Sequence, residues 1–360
     1  MTFGMMWVHG DAVLAAADAA ETRATGTSER SGTTALGQQD EFRGYAVHDR
    51  VMKLAMLGGR VLVVGAGDKD DIVRTVLTLR TLLDSGLVAP AAVEALSRRI
   101  PRPLEAHILV GCVSDGRPLI TELRPDRSVH HHRTGCIVVG SATPEVAEGM
   151  RRGSADADPA LPAQWALACT QACMHMACSL EQDMLRKGIG GVLCGALVRS
   201  SGIVYQPKTV WVFADESLLD AVIADQPTAD LGGLVVSVVG DNLHYVRSSF
   251  YGDFSEAVIL AIPCDLSDDE AHAWADAQRG ALHEPDLIVF LNLMKHSALI
   301  VAHASEPGCP VAITAEPFGF AVEERLAPVI RKALTRQGSV KEVSLTWYQW
   351  WVHGSGPANV

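Results

Sequence analysis

Apolar residues fill positions 5–17 on either side of a Gly10-Asp11 pair, so this stretch reads as a strand, a turn and a second strand. From residue 68 the period changes. Asp68 sits where a side chain caps a helix, Asp71 follows in the first turn, and Ile72, Val76 and Leu79 recur at helical spacing. A second helix is expected at 90–99, strands at 106–113, 118–123 and 135–140, and helices at 143–151 and 162–186. The last of these is apolar on most faces, as expected for a helix buried between a sheet and a neighbour. Residues 22–44 (TRATGTSERSGTTALGQQDEFRG) are rich in Thr, Ser, Gly and charge, show no hydrophobic period, and read as a loop or partly disordered insert. Beyond about residue 214, GLVVSVVG, FSEAVILAIP, DLIVFLNLM and CPVAITA read as strands, and DDEAHAWADAQRGAL and AVEERLAPVIRKALTRQ as amphipathic helices. The chain thus divides into residues 1–213 and an α+β extension, 214–360. In the first part, strand pairs alternate with helix pairs, which two layers of helix enclosing two sheets would produce.

Composition narrows the functional classes. The net charge is −12, which argues against a nucleic-acid surface, since that needs clustered Lys and Arg. Apolar runs such as LIVFLNLM at 287–294 fall far short of the roughly 20 residues that span a bilayer, so no membrane partner is expected. The start of the chain lacks a basic region followed by an apolar run, which points away from secretion. The eight cysteines lie mostly in apolar segments such as VGCV and GVLCGAL, a usage that suits reduced thiols in a cytoplasm.

The chemistry begins at the second residue. An initiator methionine is usually removed when a small side chain follows it, and Thr2 would then carry a free α-amine beside its own hydroxyl, a nucleophile with a built-in base. The segments that follow resemble, in order, those of a proteasome β-subunit. GDAVLAAADAAET is similar to the paired first strands of that family, and KLAMLGGRVLVVGAGDKDD to its next hairpin and helix. AHILVGCVSDGRPLITELRPDRSVHHHRTGCIVVGSATPEVAEGM follows its central order of strands, turns and a Gly-Ser helix entry, and GIGGVLCGALVRSSGIVYQP its closing strands. The resemblance runs from about residue 2 to about residue 213. It implies an N-terminal nucleophile (Ntn) hydrolase, a four-layer αββα sandwich within an α+β chain, carrying a C-terminal extension of unknown kinship.

The same resemblance implies roles. Thr2 would be the nucleophile, its amine, with an ordinary pKa of roughly 7.7 to 8, taking the proton through a water. Lys53 would set an ammonium beside the hydroxyl, and Asp18 would pair with Lys53 and keep it oriented and charged. Gly65 would offer its backbone N–H to the oxyanion, a contact worth about 3 kcal/mol. Ser141 would hold the amine and its water. The substrate would be a peptide or a small amide, no cofactor or metal is called for, and family members assemble as homo-oligomers; nothing in the sequence names an ATPase partner. Hydrolysis and acyl transfer to another amine share all of these residues, so both stay open. Three features depart from the family: Phe3 with Met5-Met6 at the start, the long 22–44 insert, and Arg186 and Ile189 where supporting polar residues are expected. They define the rival expectation, a catalytically silent scaffold or binding subunit of the same fold.

Other constellations carry less. Cys169 and Cys173 share a helical face, but His175 and Cys178 do not join them, so buried thiols are the simpler account than a metal set. His130, His131 and His132 would be split between two faces by strand alternation. The G-A-G-D at 65–68 lacks the remaining residues of a phosphate loop. The aromatic cluster from Trp347 to Trp351 reads as packing of the tail onto a neighbour.

Overall fold

The computed structural model describes residues 3–24, 31–34, 37–40, 44–49, 51–155, 159–180, 193–207, 209–213, 233–239, 243–248, 255–261, 270, 273, 286–292, 297–302, 311–315, 318–322 and 348–350. Over these residues the chain is a mixed α+β protein with largely antiparallel sheets and four helices.

The expected hairpin forms from Phe3–His9 and Ala12–Asp18, with Gly4 opposite Ala17 and Trp7 opposite Leu14. It sits in the middle of a five-stranded antiparallel sheet. The order is Cys136–Gly140, Phe3–His9, Ala12–Asp18, Leu193–Arg199 and Gly202–Tyr205. Strand alternation sends Phe3, Met5, Trp7 and Leu14 to one face. There they meet Met150 of a helix.

 That helix is α3 (Pro144–Ala155), and beside it Ala163, Ala166, Leu167 and Met174 of α4 (Ala163–Leu180) complete the contact. Met6, Val13, Ala15 and Ala17 point the other way, onto Leu62, Val64, Leu109 and Ile120 of a second sheet. The two sheets approach closely at Gly4, where a Cβ would come within 2.7 Å of Val64 Cγ1.

The second sheet is an antiparallel meander of Leu54–Leu57, Val61–Gly67, Ala106–Ser114, Arg117–Leu123 and Val129–His132. Its outer face carries Val63, Ile108, Val110 and Leu119, which bury Ile72, Val76 and Leu79 of α1 (Lys69–Asp84) and Ala92, Val93 and Leu96 of α2 (Ala89–Arg99). Each such leucine or valine contributes about 1.5–3 kcal/mol on burial. Asp68 caps α1 as the sequence predicts, accepting the Asp71 N–H at 2.9 Å.

Helix α4 is apolar on most faces because it is covered twice. Leu167 and Met174 face the first sheet, whereas Ala168, Ala172 and Met176 share a cluster with Trp211, Leu287, Val289 and Ala298. Those partners belong to an eight-stranded mixed sheet. Its order is Tyr348–Trp350, Ser297–Ala302, Leu287–Asn292, Thr209–Phe213, Gly233–Val239, Leu243–Ser248, Ser255–Ala261 and Val51–Met52. Thr209–Phe213, at the close of the 1–213 region, is therefore bonded into a sheet built mostly from the extension. Val51–Met52 reaches the opposite edge of that sheet from the first half of the chain.

Several local expectations change. The 22–44 segment contains strands: Ala20–Ala24 pairs with Tyr45–Asp49, and Ser31–Thr34 with Gly37–Asp40. These ladders are backbone hydrogen bonds between short, mostly polar pieces, AETRA with YAVHD and SGTT with GQQD, which leave little hydrophobic alternation to read. Helix α4 is described to Leu180, and 181–186 lie outside the described residues. Of the helix expected at 268–282 the described residues are Glu270 and Ala273, both helical, and of that expected at 321–337 they are Ala321 and Val322, which instead end the strand Phe318–Val322. Among the described residues no helix is long and apolar enough to cross a membrane.

Candidate active site

Asp18 ends its strand with no exposed surface. The Lys53 ammonium lies 2.9 Å from each of its carboxylate oxygens, and the Lys53 side chain is only 8% exposed. The Phe3 N–H donates to Oδ1 at 2.7 Å and the Ala20 N–H to Oδ2 at 3.3 Å. Burial pushes the Asp18 carboxyl above its ordinary range, and the Lys53 charge and the Phe3 N–H pull against that rise. A buried pair of this kind is sustained only by close geometry and satisfied lone pairs, and losing one partner costs about 3–5 kcal/mol.

Strand register brings Ser141 to the same end of the first sheet as Asp18. Phe3 lies opposite Gly140, and Asp18 opposite Leu193. Ser141, half-buried, follows Gly140 directly. Thr2 lies outside the described residues, as do Arg186 and Ile189. Thr2 immediately precedes the residue whose N–H contacts Asp18.

Gly65 departs from its expected role. Its N–H donates to the Lys53 carbonyl at 3.2 Å, so this amide is committed to the ladder and not offered to an oxyanion. N–H groups along a strand alternate between its two edges, so the Gly67 N–H points to the same edge, one step beyond the Lys53 bond. Gly67 has φ 125°, and a Cβ there would lie 2.2 Å from the Glu105 carbonyl oxygen. Only glycine fits this position. Glu105 is itself fixed: its carbonyl accepts the Asp68 N–H at 2.8 Å, and its N–H donates to Asp71 Oδ2 at 2.9 Å. Asp71 is buried and also accepts from Arg74 at 3.0 Å and Arg102 at 3.4 Å. The sequence shows Asp71 only as a helix-start acid. The available signal was the G-x-G spacing ahead of two helix-entry carboxylates.

The remaining constellations resolve as structural groups. Strand alternation separates the histidines: His132 Nε2 lies 3.0 Å from Glu122 Oε2, whereas His131 lies 3.1 Å from Thr121 Oγ1 and 3.3 Å from Glu94. Glu122 is also bonded by His107 at 2.8 Å and by both Arg124 Nε and Nη2. Burial alone would raise the Glu122 carboxyl, but bonds from Arg124, His132 and His107 outweigh it and hold it at about 2. Burial pushes the Cys173 thiol up to about 12 and Cys169 well above its ordinary value, so neither supplies a thiolate at neutral pH. His175, held neutral by burial with a pKa of about 3, packs its ring 4.8 Å from that of Trp211. Among the described residues no group of three or more His, Cys, Asp or Glu side chains is placed to hold a metal ion. In the aromatic tail, Tyr348–Trp350 pairs in parallel with Leu299–Val301, while Trp347 and Trp351 lie outside the described residues.

No family model matches the chain, and a search of curated proteins finds no significant match.

Proposed function

We propose that the chain is an N-terminal threonine hydrolase of the four-layer αββα type, cleaving an amide or peptide bond through an acyl-enzyme on Thr2. One observation carries the reading: the backbone N–H next to Thr2 and the Lys53 ammonium converge on a single buried carboxylate, Asp18. An ammonium fixed beside the start of the chain lowers the cost of negative charge on a hydroxyl there. Removal of Met1 frees the Thr2 amine, which takes the hydroxyl proton. Thr2 Oγ then bonds to the substrate carbonyl carbon, the C–N bond breaks, and the proton leaves with the departing amine. Water, deprotonated by the same amine, cleaves the ester and restores Thr2. The Gly67 N–H, in place of Gly65, is the oxyanion donor in this scheme, and Ser141 orients the amine and its water. A cytoplasmic homo-oligomer acting on peptides or small amides fits the same reading.

The test is intact mass followed by a β-lactone probe. Loss of Met1 with one label on Thr2, and no label on Thr2→Ala, is the expected result. A retained Met1, or an unlabelled chain with Met1 removed, would leave the silent scaffold as the reading.

A further inference from the structure

Lys53 stands where three sheets meet. Val51 and Met52, just before it, form a strand of the eight-stranded sheet, with Val51 opposite Leu260 and Met52 opposite Ala261. Leu54, just after it, begins a strand of the second sheet and lies opposite Val64. The Lys53 carbonyl accepts the Gly65 N–H at 3.2 Å, and its ammonium reaches Asp18 of the first sheet at 2.9 Å. One residue therefore changes sheets, and the backbone on its two sides is held by different partners. The partner on the N-terminal side comes from the extension.

Val51–Met52 is a strand of two residues whose neighbour is Ser255–Ala261. So short a strand has little order of its own, and its conformation depends on that ladder. A lysine side chain has many rotamers and holds two contacts at once only if its backbone is fixed. The geometry points to the extension as a working part of the candidate site: Ser255–Ala261 is a positioning element for Lys53. Its catalytic consequence rests on the threonine-hydrolase reading, whereas the backbone coupling stands without it.

Native-state hydrogen exchange on the full chain tests the coupling, because the Gly65 amide reports on the Lys53 carbonyl. The expected result is that Gly65 exchanges through the same denaturant-dependent opening as Leu260 and Ala261, and before Val63, which lies opposite Ala55. Exchange of Gly65 together with Val63, independent of 260–261, would overturn the proposal. The variants Leu260→Pro and Ala261→Pro supply the second arm. N–H groups alternate along a strand, so one of the two faces Val51–Met52. That variant is expected to speed Gly65 exchange about tenfold relative to Val63. It should also lower the maximal rate of Thr2 acylation by a β-lactone about 10–100-fold while leaving the half-saturating probe concentration unchanged. An equal change at Gly65 and Val63, or a change in probe affinity alone, would mark a merely structural strand and overturn the proposal. If the wild type takes no label, the hydrolase reading fails and exchange alone decides the positioning. If neither variant folds, wild-type exchange decides it.

Discussion

Replacing Lys53 by methionine keeps an unbranched side chain but removes the ammonium that contacts both oxygens of Asp18 at 2.9 Å. Asp18 has no exposed surface, so the variant leaves a carboxylate that water cannot reach. The expected loss is about 3–5 kcal/mol at neutral pH, toward the lower end because the Phe3 and Ala20 N–H groups still donate. The loss depends on pH in a fixed direction. Asp18 is already raised by burial, and without Lys53 it rises further above its unfolded value of about 3.9. The folded state then keeps a proton that the unfolded state has released, so stability falls as pH rises from about 4 through the folded pKa. Urea midpoints between pH 4 and 8 for the wild type, Lys53→Met, Asp18→Asn and the double variant would measure this. The double variant is expected to lose less than the sum of the singles by about 2–3 kcal/mol. A Lys53→Met loss below about 1 kcal/mol at pH 7, the value of an exposed pair, would refute the reasoning. So would a loss that is the same at pH 4 and pH 8.

Gly67→Ala drives a Cβ to 2.2 Å from the Glu105 carbonyl at a φ of 125°; a cost of about 1–3 kcal/mol in urea and loss of Thr2 labelling are expected. Glu122, held at about 2, contributes stability that is full above its unfolded pKa of about 4.3 and fades as pH falls toward 2. Its partners are partly exposed, so the contribution is on the order of 1–2 kcal/mol, and an acid titration of Glu122→Gln should lack that part of the slope. Cys169 and Cys173, with thiols raised by burial, should resist a maleimide at pH 7 in the native chain and react after unfolding, as peptide mapping would show.

What the sequence made legible follows from local physics. The hairpin at 3–18 was readable because both of its faces are apolar and its turn carries glycine, and α1 because Asp68 caps it and Ile72, Val76 and Leu79 share a face. Asp18 and Lys53 were paired through resemblance, since no local pattern joins residues 35 positions apart. Gly67 was missed because its role depends on the Glu105 carbonyl, which is far along the chain and unmarked by residue type. Glu122 was missed for the same reason: a lone acid in TEL says nothing of the two histidines and the arginine that surround it.

The segment VMKLAML shows where pattern reading stops. Hydrophobicity presents it as one strand with a lysine inside, yet Val51–Met52 and Leu54–Leu57 belong to different sheets. Side-chain pattern specifies which face of a strand is covered, but it does not specify which strand lies alongside. The change of partner at Lys53 is therefore invisible in composition and periodicity alike. That change also leaves Lys53 with its carbonyl in one sheet's ladder and its ammonium on the carboxylate of another. A strand continuing in a single sheet would fix its lysine from one partner on each side. Here the position of the ammonium depends on residues as distant in sequence as Asp18, Gly65 and Ala261, and a disturbance in any of the three sheets is transmitted to the same nitrogen.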